Sequence, residues 1–179
     1  MPGVVTTKVG FTGGTTKNAT YHNIGDHTES VCLEFDPDKI SYRDLLSKFW
    51  KCHNPTVPHN TQYKSAIFYH NTKQKMEAEE SKQEHQKTMY QPIITEIKKA
   101  DIFYNGENYH QKFMLRRFSD VLDCLKLTND ELITSPLAAK LNGYLGGYGD
   151  QQTFEEVCED LRPPQKIKSI VQKRLTHRL

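Results

Sequence analysis

Residues 28–50, TESVCLEFDPDKISYRDLLSKFW, change their hydrophobic period at one point, and that change decides the fold class. From Thr28 to Phe35 the apolar residues Val31, Leu33 and Phe35 alternate with Cys32 and Glu34, the two-residue repeat of a β-strand. Beyond Asp36-Pro37 the spacing becomes helical, with Leu45, Leu46, Phe49 and Trp50 on one stripe. Ser41 is placed to cap that helix, with Asp44 three residues on to answer it. Pro55 and Pro58 end the element, since proline cannot donate to a helical ladder. A strand running directly into a helix points to a mixed α and β architecture.

The flanking sequence continues the pattern. Upstream, Val5, Thr7, Val9 and Phe11 alternate through VVTTKVGF, and Gly13-Gly14 then breaks that first strand. The stretch TTKNATYHNIGDH is a polar loop. Downstream, YKSAIFYH is a third strand and TKQKMEAEESKQEHQKTMY a long charged helix. In PIITEIKKA, a fourth strand, Ile93, Thr95 and Ile97 share a face, and DIFYNGENYHQKF is an aromatic loop that enters a helix. The remainder is helical in pattern: SDVLDCLKL, SPLAAKLNGYL, FEEVCEDL and PPQKIKSIVQKRL, divided by GGYGD and Pro163-Pro164. Ser135 followed by Pro136 is a good helix start. The order strand, strand, helix, strand, helix, strand predicts an α+β sandwich.

With 179 residues, 36% hydrophobic and 26% charged, the chain suits one globular domain with an appended segment. It has no apolar run of membrane-spanning length and no secretory leader pattern. Lys166, Lys168, Lys173, Arg174 and Arg178 make the end basic. Ile167, Ile170, Val171 and Leu175 interleave with them, so the charges read as the solvated face of an amphipathic helix, against a nucleic-acid surface. Cys32, Cys52, Cys124 and Cys158 form no CxxC pair and no zinc-type spacing, so no metal site is expected. Cys32 and Cys52 read as buried, inert thiols.

Glu29 is the residue with the clearest chemical potential. Alternation puts it on the face of Val31, Leu33 and Phe35, the expected core face, where a poorly solvated carboxyl can act as a general acid. At the strand's start it is equally an ordinary wet carboxylate. Tyr21, Tyr63, Tyr104 and Tyr109 crowd neighbouring loops as hydroxyl donors or as packing groups. Glu107, His110 and Gln111 in ENYHQ add polar groups that either support a site or cap and pack. No nucleophile stands out.

The stretches VGFTGG, NATYHNI, GDHTESV, FDPDKISYRDLLSKFW, HNPT, TQYKSAIFYH, ITEI and FYNGENYHQKF resemble, in order, the peptide-methionine (S)-S-oxide reductases, the methionine sulfoxide reductase A family. The later LNGYLGGYGDQQTF looks like the C-terminal extension of certain animal members. The resemblance implies an α+β, ferredoxin-like α/β sandwich with a mixed sheet at residues 1–118 and a helical C-terminal extension at 119–179. It implies reduction of methionine-(S)-sulfoxide, in proteins and as the free amino acid, to methionine. Glu29 matches the family's proton donor, and Tyr21 and Tyr63 match the tyrosines that hydrogen-bond the sulfoxide oxygen, with Glu107 and His110 as possible support. The family's cysteine attacks sulfur, a second thiol resolves the sulfenic acid, and thioredoxin (dithiothreitol in vitro) reduces the disulfide, without metal or organic cofactor.

The departures also matter. The family's GCFWG motif, which bears the nucleophile about twenty residues before VGFTGG, has no counterpart here, so an N-terminal strand and helix are expected to be missing. An aspartate usual between HNPT and TQYKS is absent from VPHN, and Ala19 stands for a proline. The Gly-rich, Cys-bearing tail is also lacking, which leaves Cys158, then Cys124, as candidate resolving thiols. The expected setting is a monomer in the cytoplasm that meets oxidised proteins, free methionine sulfoxide and thioredoxin, with no membrane or nucleic-acid partner. The alternative expectation is a non-catalytic relative that binds oxidised methionine without reducing it.

Overall fold

The strand-to-helix transition at residues 28–50 is present in the computed structural model, which describes residues 1–176. Among the described residues the strands are β1 (Val4–Thr12), β2 (Thr28–Phe35), β3 (Ala66–Tyr69), β4 (Glu96–Lys99) and β5 (Tyr104–Asn105). They lie in two sheets, one of order β2-β1-β5 and one pairing β3 with β4. Pairing is antiparallel between β1 and β5, with Gly10 opposite Asn105, and parallel between β3 and β4, with Ile67 opposite Ile97. The helices are α1 (Tyr42–Cys52), α2 (Thr72–Gln86), α3 (Phe113–Arg116), α4 (Ser119–Leu125), α5 (Asn129–Thr134), α6 (Pro136–Leu145), α7 (Gln151–Leu161) and α8 (Gln165–Thr176). The fold is thus α+β, followed by a helical C-terminal region.

The chain divides into two compact units. One comprises Val9–Val31 and Asp36–Gly106. Its helix α1 starts as expected: Ser41 accepts the Asp44 amide at 3.1 Å, and the Ser41 amide donates to the Asp44 carboxylate at 3.0 Å. Leu46 and Trp50 then meet Ile67, Ala78 and Ile93 in a small core. The Trp50 indole N–H donates to Ser81 Oγ at 3.1 Å, which satisfies the one polar atom that ring brings inside. Helix α2 is the crossover that lets β3 and β4 run parallel.

The other unit comprises Met1–Lys8, Cys32–Phe35 and the chain from Glu107 onward. Its core is larger and wholly helical: Leu115, Val121, Leu132, Ala138, Leu141, Leu145, Phe154, Ile167 and Val171 are buried together. The Tyr144 and Phe154 rings meet edge-on at 5.0 Å. Ser135 caps α6 by accepting the Ala138 amide at 3.1 Å, with Pro136 at the first turn. Helix α8 buries Ile167 and Val171, while its Arg174 guanidinium donates to the Leu145 carbonyl and lies 5.0 Å from the Phe118 ring. Arg178, counted in the basic end, lies outside the described residues.

Just before α3, Lys112 takes a left-handed backbone (φ 53°) and is only 4% exposed. Its ammonium donates to the Thr7 carbonyl and, at 3.1 Å, to the Ile133 carbonyl. Burial lowers its pKa from 10.5 to about 8.

Three expectations need correction. Glu29 and Val31 were placed on the covered face of β2, yet Glu29 is exposed and Val31 is 61% exposed. Alternation identifies residues that share a face but not where along the strand that face is covered: Thr28 is buried and Ser30 and Cys32 are partly covered at the start of β2, whereas Leu33 and Phe35 are partly covered and Glu34 is exposed at its end. Cys52, expected to be buried, is exposed, because Leu46 and Trp50 take the inward stripe of α1 and position 52 falls off it. The fourth strand is shorter than PIITEIKKA: Ile93 and Thr95 are buried in alternation ahead of it, but strand pairing begins only at Glu96.

Candidate active site

The polar loop before β2 is organised by a run of four residues, Asp26 to Glu29. Asp26 receives the Thr15 and Thr16 amides, each at 2.9 Å to Oδ1, and both threonine hydroxyls, at 3.0 and 2.8 Å. These donors, first the Thr16 amide and then its hydroxyl, hold the Asp26 carboxyl well below the ordinary carboxylate range. Next, His27 receives the Gly14 amide on Nδ1 at 3.1 Å, and its Nε2 lies 2.7 Å from the Thr16 carbonyl. The Thr28 hydroxyl donates to the Thr61 carbonyl at 3.0 Å, which ties the start of β2 to a short 3-10 turn, Thr61–Tyr63.

That tie brings the candidate residues together. Gln62, inside the turn, donates from Nε2 to Glu29 Oε1 at 2.7 Å. Tyr63 ends the turn, whose cap Asn60 accepts the Tyr63 amide at 3.2 Å. Tyr21, Gln62 and Glu29 all act on the Tyr63 phenol. Partial loss of hydration first, then the negative field of Glu29, raises the pKa of the Tyr63 phenol above its usual 10.0. Tyr63 is still 52% exposed and Tyr21 37% exposed, so both phenols are open to an incoming molecule.

The far side of the turn is fixed as well. His53, at the end of α1, meets the Phe49 carbonyl at 3.1 Å through Nδ1 and Ser65 Oγ at 2.7 Å through Nε2. A carbonyl can only accept, so Nδ1 carries the proton and Nε2 accepts from Ser65. Burial lowers the His53 pKa below its ordinary 6.5, and the Phe49 bond opposes that shift. Ser65 also bonds Thr95 at 2.7 Å, so the two residues after Tyr63 lead straight into an anchored strand.

Glu29, Tyr21 and Tyr63 therefore form one group, with Gln62 as a member that sequence reading did not single out. Asp26, His27 and Thr28 were also missed; the signal available was an Asp-His pair after Gly25, directly ahead of a strand. Of the other tyrosines, Tyr104 sits on β5 with its ring edge-on to His27 at 5.4 Å, and Tyr109 is exposed.

Glu107 and His110 fall in the second unit, where they close a turn through the His110 amide and the Glu107 carbonyl at 2.9 Å. Cys124 and Cys158 are also in that unit, partly buried against its helical core. Burial raises the pKa of the Cys158 thiol, an effect partly countered by Lys168. Among the described residues, no three His, Cys, Asp or Glu side chains converge as metal ligands.

The chain is similar to known proteins in sequence and in fold. Residues 1–141 match the family described as peptide methionine sulfoxide reductase, and residues 126–171 match the helical domain of selenoprotein methionine sulfoxide reductase A. The peptide methionine sulfoxide reductase of Drosophila melanogaster is 42% identical over 162 residues, which cover 89% of this chain and 66% of that protein. Peptide methionine sulfoxide reductase A5 of Oryza sativa is 40% identical over 152 residues, covering 80% of this chain and 60% of that one. The chain thus spans only about two thirds of the length of these relatives. Among solved structures, reduced Mxr1 of Saccharomyces cerevisiae matches with a TM-score of 0.61 at 27% identity, covering 64% of this chain and 72% of that one. Methionine sulfoxide reductase A of Corynebacterium diphtheriae matches with a TM-score of 0.56 at 31% identity, covering 65% of each chain. With its fold and most of its length matched, the chain belongs to the peptide methionine sulfoxide reductase family.

Proposed function

We propose that Glu29, Tyr21 and Tyr63 bind and protonate the oxygen of methionine-(S)-sulfoxide, in oxidised proteins and as the free amino acid, during thiol-dependent reduction to methionine. The observation that carries this reading is the Gln62–Glu29 hydrogen bond beside the Tyr63 phenol, on which both Glu29 and Tyr21 act. A sulfoxide oxygen bears partial negative charge, and two phenol donors complement it. When a thiolate attacks sulfur, the sulfur–oxygen bond must break and the oxygen must gain protons. Glu29 is the donor, and the bound substrate must cover it, because its carboxyl is open to water. Gln62 holds one carboxyl oxygen and leaves the other for the substrate.

The balanced reaction consumes two thiols per sulfoxide and yields methionine, a disulfide and water. Thioredoxin, or dithiothreitol in its place, restores the thiols. Cys158 and then Cys124 are the candidate resolving thiols, and the partial burial of Cys158 calls for local opening before it can react. A second reading rests on one observation: none of Cys32, Cys52, Cys124 and Cys158 lies in a GCFWG stretch. On that reading the chain binds oxidised methionine without reducing it.

Turnover of L-methionine-(S)-sulfoxide with dithiothreitol, followed by chromatography of methionine, tests both. In a form that also carries the GCFWG cysteine as the attacking thiol, the reductase reading expects turnover of the S epimer, with Glu29→Gln lowering kcat by about 10²- to 10⁴-fold. Binding of the sulfoxide without turnover, only modestly weaker in Glu29→Gln, establishes the second reading. Absence of binding sinks both.

A further inference from the structure

The His27 side chain is 1% exposed, and both of its ring nitrogens are committed. The Thr16 carbonyl can only accept, so Nε2 carries the proton and donates across 2.7 Å. Nδ1 is then the unprotonated nitrogen and accepts the Gly14 amide at 3.1 Å. The ring edge against Tyr104 completes its enclosure. No face of this imidazole is left for a substrate, so it is not a catalytic residue. It is held as one tautomer by two backbone groups from the far end of the same loop.

The surrounding backbone is shaped to allow this. A Cβ on Gly14 would lie 2.6 Å from the Asp26 carbonyl carbon and 2.7 Å from the His27 nitrogen. Gly25 has φ +59°, and a Cβ there would collide with the Thr16 side chain. The two ends of the loop are thus pressed together, with Tyr21 in the span between them and Glu29 two residues beyond His27. Thr28, between His27 and Glu29, grips the turn that carries Gln62 and Tyr63.

We propose that His27 is a positioning residue: by binding Gly14 and Thr16 at once, it closes the 14–27 loop and so holds Tyr21 against Tyr63 beside Glu29. The inference deepens the proposed function, because it names what fixes the oxygen-binding group. Asp26 braces the same loop from its exposed side. A rigid ring with a donor and an acceptor on separate nitrogens is what the buried side requires. Asparagine can replace the acceptor at Nδ1, and glutamine the donor at Nε2, but neither spans both.

The test uses the 179-residue chain and its His27→Phe, His27→Gln and His27→Asn variants. Three readings are taken: the long-range ¹H–¹⁵N spectrum of the His27 ring, hydrogen exchange at the Gly14 amide, and the titration of Tyr63. The last is followed by ¹³Cζ-tyrosine resonances and assigned with Tyr63→Phe. The expected wild-type ring signature is the Nε2–H tautomer, with a protected Gly14 amide. In His27→Phe, Gly14 exchange should rise about tenfold or more. The Tyr63 midpoint should fall toward the ordinary phenol value as Tyr21 moves away from it, with the Gln and Asn variants intermediate.

Faster Gly14 exchange with an unmoved Tyr63 midpoint would reduce His27 to a loop fastener and overturn the proposal, as would an Nδ1–H tautomer in the wild type. If His27→Phe does not fold, the Gln and Asn variants carry the same two outcomes. Adding L-methionine-(S)-sulfoxide afterwards separates the layers. Tyrosine resonances that ignore it count against the proposed function, while the Tyr63 titration still decides the role of His27.

Discussion

The two units of this chain are built on different principles. The helical unit rests on an apolar core in which Leu115, Val121, Leu141, Leu145, Phe154, Ile167 and Val171 are fully enclosed. The unit bearing the candidate site has a smaller apolar core around Leu46, Trp50 and Ile67, and fixes its loops by polar bonds instead: Asp26 to Thr15 and Thr16, His27 to Gly14 and Thr16, Thr28 to Thr61, His53 to Ser65. Burial stabilises without choosing a direction, whereas hydrogen bonds define one. The proposed grouping of Glu29, Tyr21 and Tyr63 around one substrate oxygen would need the second kind of support.

The sharpest way to break this comparison is Phe154→Ala. Removing a fully buried ring packed on Tyr144 should cost about 3–5 kcal/mol of stability, read from denaturant titration of the helical signal. A loss under about 1 kcal/mol would mean that the core of the helical unit is not its main support.

The next effect concerns Lys112, a cation buried in the walls of that apolar unit. The pKa of Lys112 is about 8 in the fold against 10.5 ordinarily, so the unfolded chain binds the extra proton between those values. Stability contributed by this group therefore rises as pH goes from about 8 toward 10.5 and is lost as pH falls through the folded value. Lys112→Met should remove that slope from the stability–pH curve. An unchanged slope would assign it to other groups.

The smallest effect sharpens the contrast from the other side. Glu29→Gln, at an exposed position, should leave stability within about 0.5 kcal/mol of the wild type while altering the chemistry of the site. A large loss of stability would make Glu29 a structural residue.

Much of the local structure was legible in the sequence because its signals are local. Ser41 with Asp44, and Ser135 with Pro136, announce helix starts that the structure keeps. The same logic would have found α5, since Thr128 and Glu131 form a capping box. The two-residue strand β5 carries no periodic pattern, and its pairing with β1 is a tertiary fact. Glu29 shows the limit most clearly: its face-mates Leu33 and Phe35 are partly covered, but the end of the strand that holds Glu29 and Val31 is exposed, and coverage along a strand depends on what packs there. Gln62 and His27 escaped notice because their partners lie 33 and up to 13 residues away, beyond any local pattern.

The closure of the 14–27 loop at its own root also bears on where this chain can change length. Surface loops ordinarily accept insertions at little cost, since closure entropy grows slowly with length. This one is stitched at both ends, with glycines at 14 and 25 leaving no room for a side chain. An added residue next to either stitch would shift Thr15 or Thr16 away from Asp26, or Gly14 away from His27. The exposed Val57–Asn60 stretch carries no comparable stitching before Asn60, so length variation belongs there and not around Tyr21.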